Sequence, residues 1–456
     1  MKPSSILKGY GVLFLLAGAA FLFFPGLCMA VLSLGADWLP GARPLPDAGR
    51  TLWLGLAGSM MAMISYLAFA LAADPRQQTA WRALLLSKAV STGLFLLFVL
   101  ADKNALFLVA AAVDGAILIH LAGLSLAFAD LADPWSSRIA GLPDCLHEAW
   151  FLKANDPATR DAFWLRYTLE RTDRGIEGGL WYAVFDVKER RVLSGRWSPP
   201  QAAAHSSPMH ENPSEGPSAH AVCGFADADL TRTSAMARSP DVDWRLSWRR
   251  AAIPPFSFVP TWLYLWGAAG TVYVAPAPAA RFDGEIRVEG RTYRFAGAPG
   301  SVGHLWGRRK GEAWRWAHAV FQREDGAVEA VFEILSARGR LGPLVLPRVT
   351  SAHLWHDGRH HATAWPGAFG GNRTWARDRG WGFRFESRDL SAEGDCAPDE
   401  GMTAELEYGD QDGRVLRCRN STVGALRLRL SRADGGAEAA FETPDGAAVE
   451  TVGRLR

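Results

Sequence analysis

The chain has 456 residues, a net charge of +2 and 49% hydrophobic composition. No strong positive field is present, which argues against a nucleic-acid partner. The five cysteines (Cys28, Cys145, Cys223, Cys396 and Cys418) show no CxxC or metal-like spacing. That pattern argues against a disulfide framework and fits a reducing compartment.

The averages hide a division. Residues 1–130 are mostly Leu, Ala, Phe, Gly and Val, whereas residues 131–456 carry most of the charge and 16 of the 19 tryptophans. A bilayer core takes about 20 apolar residues per helix. Residues 10–34, 51–73, 83–101 and 104–128 have that length. Residues 1–130 therefore read as a four-helix transmembrane domain, and the first run is too long for a secretory signal. Lys2, Lys8, Arg76, Arg82 and Arg138 fall on one side of the spans, and Arg43, Arg50 and Lys103 on the other. The positive-inside rule then puts the rest of the chain in the cytoplasm, as expected of a bacterial inner-membrane protein. Lys88, Asp114 and His120 lie within the spans. Lys88 either snorkels to the inner interface or reaches inward to Asp114, and a proton or substrate path is the competing expectation.

Beyond residue 130 the pattern changes to short alternating segments: 162–171, 179–187, 243–249, 284–288, 292–295, 330–334, 382–386, 404–408, 415–419 and 425–430. Period-two alternation rich in β-branched and aromatic residues predicts antiparallel strands. Asp283-Gly284, Asp325-Gly326, Asp357-Gly358 and Asp412-Gly413 read as turns between them. Residues 198–219 are rich in Pro, Ser, Ala and His and predict a disordered insertion. An all-β sandwich or barrel architecture follows.

Trp314, Trp316 and His318 stand at alternate positions of one predicted strand and share a face, with His304 and Trp306 shortly before them. Indoles and imidazoles gathered on one side line either a packed core or a pocket. A pocket so walled suits a lipophilic substrate and stabilises positive charge, with imidazoles moving protons. Glu148, just before Trp150, and Glu333, inside the apolar run AVFEIL, are the candidate supporting acids, because an apolar setting raises a carboxyl pKa. His353, His356, His360 and His361 flank Asp357-Gly358. A two-residue turn there sets His356 opposite Arg359 and Trp355 opposite His360, and places His353 and His356 on opposite faces, which disfavours a shared metal ion. No Walker loop, G-x-G-x-x-G, H-E-x-x-H or G-x-S-x-G is present, which disfavours nucleotide-dependent chemistry and triad hydrolysis.

Four blocks carry a family resemblance: HEAWFLKANDPATRDAFWLRYTLER at 147–171, WRLSWRR and FSFVPTWLYLWG within 244–267, FDGEIRVEGRTYRFAGAPGSVGHLWGRRKGEAWRWAHAVF at 282–321, and YGDQDGRVLRCRNS at 408–421. Their order and wording resemble the calycin-related family that includes tocopherol cyclase and the carotenoid hydratases. The resemblance covers residues 145–430. It implies two tandem lipocalin-like β-modules, 145–280 and 281–456, joined here to membrane spans that the family does not ordinarily carry. It further implies a cofactor-independent cyclase, isomerase or hydratase for an unsaturated lipophilic substrate, with His304 and His318 moving protons, Glu148 or Glu333 assisting, and Trp150, Trp306, Trp314 and Trp316 as walls. The alternative is a barrel that binds or delivers a lipid or pigment unchanged. No metal or cofactor is called for, and the oligomeric state is left open.

Overall fold

The computed structural model describes residues 3–34, 36, 38–44, 52–73, 77–130, 133–142, 144–199, 221–265, 267–341, 344–363, 370–410, 413–432 and 439–453. The expected disordered insertion lies almost wholly outside them, as do Lys2, Arg50, Arg76 and Asp412. The chain divides into two compact units, Met1–Ala132 and Asp133–Arg456.

The first unit is helical: α1 (Pro3–Phe23), α2 (Pro25–Ser33), α3 (Leu52–Ala73), α4 (Gln78–Asp102) and α5 (Leu106–Asp130). Four segments, Ser5–Phe23, Gly55–Ala73, Thr79–Asp102 and Leu106–Ser125, are long and apolar enough to cross a bilayer. The first differs from the expected 10–34. Phe24 leaves helical geometry and Pro25 opens a new short helix, because proline offers no N–H to continue the ladder. The span therefore starts earlier and ends at the break. Of the two expected arrangements for Lys88, the structure adopts the inward one. Its Nζ lies 3.0 Å from Asp114 Oδ1, Ser91 donates to the other carboxylate oxygen, and Tyr10 and His120 are hydrogen-bonded at 2.7 Å.

The second unit is almost entirely antiparallel β-structure. Its first sheet contains β1 (His147–Asn155), β2 (Ala162–Thr172), β3 (Gly175–Asp186), β4 (Arg191–Trp197), β5 (Ala221–Phe225), β6 (Ala228–Thr231), β7 (Ser234–Arg238), β8 (Val242–Arg250), β9 (Phe256–Ser257), β10 (Thr271–Val288) and β11 (Arg291–Gly307), with the short α6 (Thr261–Leu265) before β10. Its strand order is β4-β3-β2-β1-β11-β10-β8-β7-β6-β5, with β9 beside β10. The second sheet contains β12 (Ala313–Gln322), β13 (Val328–Leu341), β14 (Leu344–His356), β15 (Arg359–Ala362), β16 (Arg373–Ala376), β17 (Trp381–Glu386), β18 (Leu390–Ala397), β19 (Ala404–Gly409), β20 (Val415–Arg432) and β21 (Ala439–Val452). Its order is β15-β14-β13-β12-β21-β20-β18-β17-β16, with β19 beside β20. Each sheet curls around its own apolar core, as two tandem lipocalin-like modules. In the first, Tyr167 of β2 donates across the core to the Met236 carbonyl of β7 at 2.8 Å.

The sheets divide between Gly307 and Ala313, so the boundary expected at 280/281 falls inside β10. Asp283-Gly284 is not a hairpin turn but a bulge within β10, where Gly284 has φ +135° and a side chain would overlap the Arg245 carbonyl. Only glycine tolerates that geometry. Asp357-Gly358 is a hairpin turn with both residues at positive φ, and it pairs His356 with Arg359 and Trp355 with His360, as the sequence predicts. The segments 415–419 and 425–430 are parts of one strand, β20.

Strand β1 is buried along its whole length. Glu148, Trp150, Leu152 and Ala154 face the core of the first module. Phe151 turns instead to a third apolar cluster, shared between the sheets, that also holds Trp164, Tyr273, Trp316, Leu406 and Tyr408. Strand β12 divides likewise, with Ala317, Ala319 and Phe321 in its own module's core and Trp316 in the shared cluster.

Candidate functional site

The sequence-selected residues fall into two separate groups. His304 and Trp306 lie on β11 and Trp314, Trp316 and His318 on β12, so the two imidazoles do not share a face. The segments are adjacent in sequence but belong to different sheets.

The first group lies inside module one. His304 Nδ1 donates to the Pro134 carbonyl and Nε2 meets Glu148 Oε1, each at 2.8 Å. Its ring stacks on Trp150, centroids 4.5 Å apart. Glu148 also accepts from Ser137 Oγ at 2.7 Å and from the backbone N–H groups of Arg138 at 2.6 Å and Ile139 at 3.0 Å. This carboxylate ties the segment preceding β1 to β1 and β11. Trp306 packs edge-on against Tyr264. None of these four residues lines the cavity between the modules.

The second group lies between the modules, beside a cavity of about 130 Å³ that opens to solvent. Phe151, Trp164, Tyr273, Leu305, Trp314 and Trp316 are among its apolar lining residues. Its polar groups are His147, Arg166, Thr271, Lys310 and Glu450. Glu450 accepts from Trp314 Nε1 at 2.6 Å and from Asn420 Nδ2 at 3.0 Å. Lys310 Nζ donates to Glu170 at 3.1 Å and to the Gly409 carbonyl, and Arg166 lies over the Tyr408 ring. His147 is buried, and neither ring nitrogen has a partner among the described residues. Burial, reinforced by the Lys310 and Arg166 cations, holds its pKa well below the ordinary histidine value. The imidazole is neutral at physiological pH and offers one free lone pair.

Behind the aromatic wall runs a buried polar array. Glu333 accepts from Tyr273 Oη, from Trp316 Nε1 at 2.7 Å and from His353 Nε2 at 3.2 Å. Burial pushes its pKa up, but those donors and the neighbouring imidazoles outweigh it and hold the carboxyl below its usual range. The expected raised carboxyl pKa is therefore reversed. Tyr273 stays a phenol, pushed far above its normal range by burial and by Glu333. His318 Nε2 donates to the Pro278 carbonyl at 2.8 Å. Burial, with Lys153 nearby, pushes its pKa down to about 3. Lys153 bonds Asn155 Oδ1 at 3.2 Å, and burial brings it to about 7 against the pull of Glu333.

Sequence reasoning missed His147, Tyr273, Lys153 and His353. Lys153 reads as part of a loop before Pro157, and His353 as part of a polar hairpin tip. The usable signal was parity: His353 pairs directly with Glu333, and directly paired residues share a face.

No family model matches the chain. Uncharacterized proteins from two strains of Mycobacterium tuberculosis, CDC 1551 / Oshkosh and H37Rv, are each 28% identical over 296 residues, which is 62% of this chain and 80% of theirs. Among solved structures, a putative AttH from Nitrosomonas europaea is similar at 13% identity and TM-score 0.42, covering 72% of this chain and 97% of that one. Kievitone hydratase from Nectria haematococca is similar at 9% identity and TM-score 0.38, covering 67% and 88%.

Proposed function

We propose that the cavity between the modules is the active site of a membrane-anchored, cofactor-independent enzyme that moves a proton on an unsaturated lipophilic substrate, as an isomerase, cyclase or hydratase. The observation that carries this is His147: a neutral imidazole on the wall of an aromatic cavity, with both ring nitrogens buried and without a partner among the described residues. Such a group takes a proton from one carbon and returns it to another without a cofactor. Lys310 and Arg166 on the same wall stabilise negative charge developing on a substrate oxygen. Tyr273 and Trp316, oriented by Glu333, and Trp164 and Trp314 hold the substrate. His318 and His353 complete the array behind them. His304, Glu148, Trp150 and Trp306 act as positioning residues, fixing β1 and β11, whose other faces supply His147, Phe151 and Leu305.

The cavity volume narrows the substrate. A cavity of about 150 Å³ holds benzene, so one ring or one short unsaturated end enters while the remaining chain lies in the open space. The resemblance of the four sequence blocks to tocopherol cyclase and carotenoid hydratases agrees with this chemistry. The arginine and lysine distribution around the spans supports a cytoplasmic β unit.

The test works on a substrate whose identity is still open. Full-length protein is purified in mild detergent, co-purifying lipids are identified by mass spectrometry, and these plus candidate polyenes and enones are incubated in D2O. Deuterium should enter a carbon position of one of them, and His147→Gln should slow this by about 10²-fold. A bound lipid that never exchanges deuterium would instead mark a binding or delivery protein.

A further inference from the structure

Arg166 and Arg315 are the two buried arginines among the described residues, 6% and 2% exposed. Arg315 donates to Thr374 Oγ1 at 3.1 Å. Arg166 makes no hydrogen bond and no ion pair among the described residues. Its contact is with a ring: the guanidinium carbon lies 4.6 Å from the Tyr408 centroid. A ring face attracts the charge but leaves the N–H donors of a guanidinium without lone pairs to meet. Withdrawing that group from water without an acceptor destabilises the ligand-free protein, so an acceptor from outside the chain has a ready place.

That place is the cavity between the modules, which Arg166 lines. Arg166 pairs in register with Phe151 of β1 and alternates with Trp164 on β2, so all three side chains stand on one face of the sheet. The other charged groups on the wall are engaged. Lys310 Nζ is held by Glu170 at 3.1 Å and by the Gly409 carbonyl. Glu450 accepts from Trp314 Nε1 and from Asn420 Nδ2, one bond to each oxygen. One uncommitted cation, with Glu450 on the same wall, suits a single negative charge and repels a dianion. A flat carboxylate matches the guanidinium fork with two parallel hydrogen bonds. His147, also without a partner, lines the same cavity, so the head and the proton-moving group share one space.

We infer that Arg166 anchors the carboxylate of a lipophilic acid, whose unsaturated or aromatic carbons next to that head lie against Trp164, Trp314 and Trp316. This rests on the cavity being the substrate site, and it narrows the substrate to one that is charged before any proton moves. Lys310 is then left to meet charge that develops during the reaction.

The experiment uses the full chain in mild detergent, with protein-free micelles as the blank. Fluorine NMR follows the binding of three one-ring probes: para-fluorocinnamate, the corresponding amide and the corresponding vinylphosphonate dianion. The carboxylate should bind at least about tenfold more tightly than the amide, and more tightly than the phosphonate. Arg166→Met should abolish the preference and keep the amide affinity, which shows that the cavity is intact. Where Arg166→Met fails to fold, Arg166→Lys is read instead: it keeps the charge without the fork, and should weaken the carboxylate but not the amide. Equal affinity for carboxylate and amide, no binding of either, or a preference untouched by these substitutions overturns the inference. A phosphonate that binds more tightly than the carboxylate overturns the choice of a single charge. Deuterium exchange reads the other claim. An acid that binds through Arg166 and never exchanges refutes the enzyme and spares the anchor; exchange into neutral polyenes without any preference for acids does the reverse.

Discussion

Glu148 shows how much one side chain organises. It collects four hydrogen bonds in a fully buried setting, so its removal leaves several donors without partners. Glu148→Ala should destabilise the β unit by about 3–5 kcal/mol, read as a lowered melting midpoint of tryptophan fluorescence. Glu148→Gln should recover part of the loss. His318 makes a pH prediction. Its pKa falls from 6.5 to about 3 on folding, so between these values the unfolded chain binds the extra proton. The stability it contributes is complete above pH 6.5 and is lost as pH falls toward about 3. Its magnitude is on the order of 5 kcal/mol. His147 and His360 shift in the same direction, so the wild type should lose stability steeply on mild acidification. His318→Gln keeps a donor for the Pro278 carbonyl but does not titrate, and its acid limb should be shallower. An acid limb identical to wild type would count against a neutral buried imidazole.

At the scale of elements, β1 decides where the site lies. One of its faces closes module one and the other meets module two, and Gly303 of the neighbouring β11 makes room for it: a side chain there would overlap the Phe151 ring. Gly303→Ala should therefore push Phe151 into the cavity, costing about 1–3 kcal/mol from overpacking and weakening retention of any co-purified lipid. Ligand occupancy by mass spectrometry, alongside the melt, checks this. The same strand shows what was legible in advance. Strands with one solvent face, such as β8, announce themselves by clean alternation. In His147–Asn155 the alternation is blurred because both faces are covered and Glu148 and Lys153 are buried with partners that no local pattern reveals. Parity correctly grouped Trp314, Trp316 and His318, yet parity cannot say what covers a face. The covering surface is the other module, contributed from far away in the chain. Asp283-Gly284 carries the composition of a turn but serves a bulge within β10.

For the whole β unit, the join between modules is mainly apolar. Among the described residues, ion pairs that span it include Arg160 with Asp445 and Arg190 with Asp399, and these arginines are more than half exposed. Such pairs contribute about 0–1 kcal/mol each and are screened by salt. The shared cluster around Phe151, Trp164, Tyr273 and Trp316 is not screened. Unfolding followed by tryptophan fluorescence should accordingly show one transition for the β unit at both low and high salt. Two resolved transitions would mean that the modules melt independently.

Strand order also governs how this molecule is made. In each sheet an early strand finds a late partner: His147 sits against Gly307, and Trp314 against Val452. Until those distant residues arrive, β1 and β12 each keep one edge unpaired, and closing such long loops is slow. Nascent chains are then exposed to edge-to-edge association. Yield in a recombinant host should respond more to growth temperature and chaperone supply than to any single surface residue.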